Sequence, residues 1–225
     1  MGVFMVSTVV MKTEMPVKLG SEQMRRPKAP VLSVGQYSVL RAQMAKLAEL
    51  GFDSWWPSHI EMASPREILR GVDSENFLLV PPAGDFGKMM SAIQRPGQGR
   101  PGRSVIQDYR LIKDVEMKGS QVEGYIIKDV ESRLSDLGRS EEDIRARLLV
   151  ENRRFLTCWE GLIFSFIWPD MLQLANRLIF LGSQQGQHKT VGIVSSPARE
   201  PILKTMHISQ KEFVAVPLTC SREIV

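Results

Sequence analysis

The segment Pro82-Ala83-Gly84-Asp85-Phe86-Gly87-Lys88-Met89 has the residue types of a phosphate-binding loop. Glycines free backbone amides to cradle phosphates, and a lysine reaches the terminal ones. Two positions work against that chemistry. Pro82 stands where the first glycine belongs, which removes an amide and stiffens the turn, and Met89 stands where a Ser or Thr would hold magnesium. Nucleotide hydrolysis is therefore not expected from this loop. Asp85-Phe86-Gly87 spells a kinase tripeptide, but the chain contains no His-Arg-Asp catalytic loop. Gly97-Gln98-Gly99-Arg100-Pro101-Gly102 satisfies the letters of a dinucleotide fingerprint. That fingerprint requires a strand before it and a helix starting within it, so that pyrophosphate sits on the helix N-terminus. Here a strand is predicted to follow, and Pro101 constrains the turn.

The same loop reads differently as an electrostatic feature. Arg95, Arg100 and Arg103 lie on a Gly/Pro track with no apolar group to bury, the composition of a flexible loop over residues 95–104. Such arginines, with Arg25 and Arg26, could follow a phosphate backbone and release counterions. No aromatic stacking platform lies between them. The histidines are His59, His188 and His207, and none stands at metal-ligand spacing from another His or Cys. Cys158 opens an apolar run and reads as a small buried hydrophobe rather than half of a Cys–His pair. No Gly-x-Ser-x-Gly elbow is present. Ser183, His188 and Lys189 would make a polar pocket only if the fold converged them. No metal and no cofactor is expected.

These residues need elements to position them. Ser33 with Gln36 makes a capping box for a helix ending at Gly51, and Val34, Tyr37, Leu40, Met44, Leu47 and Leu50 recur at the spacing of one apolar face. Phe52 to Ser58 reads as an aromatic turn containing Trp55 and Trp56. Ser64, Pro65 and Glu67 start a second helix that Gly71 ends. Asn76 to Val80 reads as a buried strand closed by Pro81-Pro82, and Asp85 to Gln94 as helical. Tyr109 to Glu116 is echoed by Tyr125 to Glu131, two β-prone runs that read as adjacent strands joined through Gly119 to Gly124. Ser140 to Phe155 reads as one capped helix with Ile144, Leu148, Leu149 and Phe155 on its buried side. Thr157 with Glu160 begins another capping box, on a helix apolar enough to be central, and Pro169 can start a further turn. Leu178–Leu181 and Val191–Val194 form a hairpin-like pair, and Phe213 to Val216 is a last strand.

Helices and strands mix without a βαβ rhythm, so the expected class is α+β: helices packed on a mostly antiparallel sheet, with a β-rich C-terminal part. The 225 residues suffice to bury a sizeable core. Hydrophobic residues at 43% and charged residues at 24% exclude wholesale disorder and a multi-span membrane protein. The two cysteines exclude a disulfide-dense scaffold. A net charge of +4 permits an anionic partner without demanding one. Residues 1–30 read as an N-terminal extension, its apolar start an edge strand or ordered tail, with a basic, proline-punctuated linker at Arg25–Pro30. Residues 31–225 read as a single α+β domain. The apolar run from Leu156 to Ser183 is interrupted by Glu160, Pro169, Asp170 and Arg177. Each charge costs about 2.5–3.5 kcal/mol near a bilayer centre, so no membrane partner and a cytoplasmic place are expected.

The order of four segments resembles a bacterial domain-of-unknown-function family over roughly residues 39 to 225. They are Phe77-Leu78-Leu79-Val80-Pro81, Gly124-Tyr125-Ile126-Ile127-Lys128-Asp129-Val130, Thr157 through Glu160-Gly161-Leu162, and Leu181-Gly182-Ser183 with Gly186. Members often carry a Cys just after the Gly-Ser pair, where this chain has Gln184-Gln185, so no thiol or metal role carries over to that position. The resemblance implies a bacterial intracellular protein and no particular activity. Three readings follow. The first is a non-catalytic intracellular binding or interaction protein, with a protein partner or self-association. The second is a nucleic-acid-binding accessory protein using Arg95, Arg100 and Arg103. The third is an enzyme whose site is assembled from distant residues, for which no residue pattern makes a positive case.

Overall fold

Thr157 accepts a hydrogen bond from Glu160 N–H while the Glu160 carboxylate accepts one from Thr157 N–H, and this reciprocal cap starts helix α5, Cys158–Ile167. Nine of its ten residues are buried. A helix that is apolar all round belongs inside a protein, and α5 lies in the centre of this one. The computed structural model describes residues 33–52, 64–97, 100–116, 124–175, 177–186, 189–196, 198–207 and 215–223. Before α5 come α1 (Val34–Glu49), α2 (Pro65–Ile68), α3 (Phe86–Ala92) and α4 (Glu141–Val150); α6 (Met171–Leu174) follows it, after Pro169. The strands are β1 (Leu78–Val80), β2 (Arg103–Ser104), β3 (Ile112–Asp114), β4 (Tyr125–Ile127), β5 (Glu131–Ser132), β6 (Arg153–Phe155), β7 (Arg177–Gln185), β8 (Lys189–Ser195), β9 (Pro201–His207) and β10 (Val216–Ser221).

The fold is α+β with a strand-rich C-terminal part. The main sheet runs β2-β9-β8-β7-β10-β5, with β3 added along β7 and β6 along β10. Its pairings are antiparallel except β10 with β7 and β2 with β9. Side chains alternate across it. Leu178, Phe180, Val191, Ile193 and Leu203 face the cluster built around α5, whereas Ile179 and Leu181 face a smaller cluster with Ile144 and Leu148 of α4. β1 and β4 form a separate two-stranded antiparallel sheet, and α5 touches β1 as well as β7 and β8. The helix is thus wedged between two sheets. Gly161 permits that approach, because a Cβ there would lie 2.3 Å from the Phe180 ring.

Several expectations are corrected. On α1 the buried stripe is Gln36, Leu40, Gln43 and Leu47, while Val34 is 84% and Tyr37 41% exposed. Leu40, Met44, Leu47 and Leu50 face the core as the spacing predicts, but Val34 and Tyr37 do not, and Gln36 and Gln43 join the buried stripe because they serve backbone groups. Gln43 Nε2 donates to the Phe77 carbonyl (2.8 Å) and its Oε1 accepts from Leu79 N–H (2.9 Å), tying α1 to β1. Gln36 Nε2 donates to the Val72 carbonyl (2.8 Å). The echoed runs are not neighbours: β3 pairs with β7, and β4 pairs with β1 in the other sheet. Tyr109–Leu111 is a 3-10 turn rather than strand. The predicted helix from Ser140 to Phe155 stops at Val150. Asn152 takes a left-handed φ of 53° and Phe155 belongs to β6, while Leu149 is 63% exposed. The last strand begins at Val216, and Phe213 lies outside the described residues, as do residues 1–30, Trp55, Trp56 and Gly119. The helix at Pro65 is a single turn ending at Ile68.

Candidate functional site

The structure places the predicted site residues as follows. Ser183 is fully buried, Lys189 is exposed at the start of β8, and His188 lies outside the described residues. Of the arginines, Arg103 sits in β2 and is ion-paired to Glu200 (3.1 Å). Arg95 is half-buried and Arg100 exposed. Their loop is closed at its base by a bridge between Gln94 and Pro101 and by Gly102 N–H donating to the Ile93 carbonyl (2.8 Å). Gln98 and Gly99 lie outside the described residues. At the Pro82–Met89 loop, Asp85 Oδ1 accepts from Gly87 N–H (2.7 Å) and Lys88 N–H (3.0 Å). A carboxylate of the chain therefore holds the amides that a phosphate would need.

What the fold does bring together is a polar cluster at the N-terminus of α5. β7 carries a register shift against β8 between Phe180 and Gln184, next to the stretch where Ser183, Gln184 and Gln185 pair with β3. Such a bulge re-aims side chains, and Thr190 Oγ1 stitches it by hydrogen bonds to the Phe180 and Ser183 carbonyls (both 2.9 Å). Ser183 Oγ accepts from Cys158 N–H (2.6 Å) and donates to the Asp114 carboxylate. On the far side, Arg154 makes a bidentate, buried pair with Glu160 (2.8 and 2.6 Å). Glu160 also accepts from Tyr125 Oη (2.9 Å) and Thr157 N–H (2.7 Å). One carboxylate thus joins β6, β4 and α5, and one hydroxyl joins β7, β3 and α5. The sequence pointed to Ser183 but not to Asp114, Tyr125 or Arg154 around it; the cap at Thr157 and Glu160 was the one local signal.

The electrostatics follow from burial. Asp114 is an exposed residue, yet its carboxyl reaches in among buried groups, and desolvation pushes its pKa above the ordinary aspartate value, against the Ser183 hydrogen bond. The Cys158 thiol is driven well above its usual value by burial and by Asp114. Burial pushes Cys220 up to about 12. Neither thiol supplies a nucleophilic thiolate at neutral pH. Burial, then the neighbouring Glu160 charge, raises Tyr125. Burial opposes the charge on Arg154, and Glu160 more than restores it.

A second ionic assembly lies nearer the surface. The buried Asp136 carboxylate accepts from Arg133 Nε (2.8 Å) and Arg147 and pairs with Arg139 (3.5 Å). Arg133 also binds Glu131 and Glu151 (both 2.8 Å). Among the described residues, no group of three His, Cys, Asp or Glu is arranged to hold a metal ion, and no helix is long and apolar enough to cross a membrane. Comparison with protein-family models, curated proteins and solved structures returned no significant match.

Proposed function

We propose that the chain is a non-catalytic interaction protein that binds a protein partner through the outer face of α4. One observation carries this reading: two pairs of apolar side chains stand exposed beside each other's elements. Leu149 and Val150, at the end of α4, are 63% and 89% exposed, and Leu134 and Leu137, on and after the 3-10 turn Leu134–Asp136, are 43% and 44% exposed. Arg147–Asp136 and Arg133–Glu151 ion pairs hold that turn against the last turn of α4. Single exposed leucines need no explanation, but four exposed apolar groups on two elements tied together by arginine ion pairs fit the composition of interface cores. The burial of Ser183, Cys158 and Cys220 supports a non-catalytic role, since each is enclosed and Ser183 is engaged on both sides. An intracellular place and kinship with the bacterial family belong to the same reading, supported by the order of the four sequence segments.

The test is a photo-crosslinking residue in place of Val150 in the full chain, in the cells that naturally make it, with the same residue at exposed Gln107 as control. A discrete protein adduct at position 150 alone, lost on Leu149→Glu, is expected. Identical adducts at both positions, or none at 150, would overturn the reading.

A further inference from the structure

A cavity of about 240 Å³ opens between the C-terminal end of α1 and the start of α3, lined by Leu50, Phe52, Gly84, Asp85, Lys88 and Met89. Its size decides what class of molecule fits. A cavity of about 150 Å³ holds benzene, and drug-sized ligands need about 300 Å³ or more. This one suits a single small metabolite and is too small for a nucleotide. Its inner surface is apolar: Met89 is buried, Phe52 is half-buried, and the edge of the Trp159 ring closes in behind Gly84. Trp159 is fixed there by its Nε1–H donating to the Pro81 carbonyl (2.8 Å) and by edge-on contacts with Phe52 and Phe86.

The rim carries one charge of each sign. Lys88 Nζ spans from α3 to the Leu50 carbonyl (2.9 Å), one hydrogen bond for a group with three donors. Among the described residues it has no carboxylate partner. Asp85 uses Oδ1 for the two amides of its own turn, leaving Oδ2 without a hydrogen bond among the described residues. An ammonium and a carboxylate oxygen at the mouth of an apolar pocket are complementary to a molecule with an adjacent carboxylate and ammonium on an apolar body. From this we infer that the cavity binds a free apolar α-amino acid, its carboxylate on Lys88, its ammonium on Asp85, and its side chain toward Met89 and Phe52. The site is separate from the α4 face, so it stands or falls independently of that reading.

The experiment is amide chemical-shift titration of the full-length chain with L-phenylalanine and L-leucine. Saturable shifts at the Gly84 and Lys88 amides are expected with either amino acid. On the unaltered chain, N-acetyl-L-phenylalanine and L-phenylalaninamide should each bind at least about tenfold more weakly, since each lacks one head-group charge; a tenfold loss corresponds to about 1.4 kcal/mol. Lys88→Met and Asp85→Asn should weaken binding similarly, and the asparagine keeps the helix cap. Absence of shifts at millimolar amino acid would overturn the assignment. So would equal binding of the blocked compounds, a result that needs no variant to fold.

Discussion

Two of the arginine–carboxylate assemblies in this molecule differ in how far water reaches them. At Arg154–Glu160 both side chains are buried, at 3% and 0% exposure. Around Asp136 the carboxylate is just as buried, but Arg147 and Arg139 stand 41% and 50% exposed. Water can therefore replace Arg147 or Arg139 in the second assembly, whereas it can replace neither partner in the first. A buried pair contributes little over apolar groups of the same shape, yet losing one member leaves an unmatched charge in a low dielectric. The buried pair acts as a register device, since Glu160 at once caps α5, holds β6 and reaches β4 through Tyr125. The outer assembly acts as a clamp on the surface proposed to bind a partner.

The sharpest test of the contrast is to break the inner pair. Glu160→Ala or Arg154→Ala should each cost about 3–5 kcal/mol in urea unfolding. Replacing both together by Met and Leu should cost less than the two single losses summed. Additive losses would show that the two charges are not coupled. Next in size is Gly161→Ala, a single added carbon driven into the Phe180 ring, expected to cost about 1–3 kcal/mol by the same measurement. A neutral result would mean that α5 can move off the sheet freely. In the outer assembly, Arg147→Ala should cost less than about 1 kcal/mol. That cost should shrink further in high salt, as screening weakens exposed pairs; a salt-independent loss would place Arg147 with the buried groups instead.

Local signals were the legible ones. The caps at Ser33 and Thr157 lie within three residues of their partners, and both formed as read. The hairpin of β7 and β8 was legible because its turn is short and its strands are apolar. The α+β class and the strand-rich C-terminal part followed from the order of such segments. What was hidden depends on distant pairing. Gln43 meets Phe77 across 34 residues, and Ser183 meets Asp114 across 69. A glutamine on a helix reads as surface until the backbone group it serves is known. Similarly, Tyr109 and Tyr125 open nearly identical strings whose strands go to different sheets, because pairing is decided by what each strand can bury. The rim of the cavity was half legible: Lys88 and Asp85 were noticed in a phosphate-loop frame, but the wall from Phe52 and Trp159 required the fold.

The smallest expected effect concerns pH and returns to the N-terminus of α5. Asp114 has its pKa raised in the folded chain, desolvation outweighing the Ser183 hydrogen bond and the Arg154 charge, with the Glu160 charge adding to the rise. A carboxyl with a raised folded pKa binds protons more readily when folded, so its contribution to stability is fully present below the ordinary aspartate value of 3.8 and is lost as pH rises through the folded value. Glu151 runs the other way: Arg133 lowers its pKa, so its contribution is present above the ordinary glutamate value of 4.5 and is lost as pH falls through the lowered one. The whole-chain pH profile mixes these terms, but a difference profile isolates one. The unfolding free energy of the native chain minus that of Asp114→Asn should decline as pH rises from below 3.8 and then level off, because asparagine does not titrate. A difference that rises with pH would mean that the Ser183 hydrogen bond and Arg154 outweigh desolvation. The Ser183 contact would then hold a favoured carboxylate, and the inner cluster would resemble the outer clamp more than the dry pair beside it.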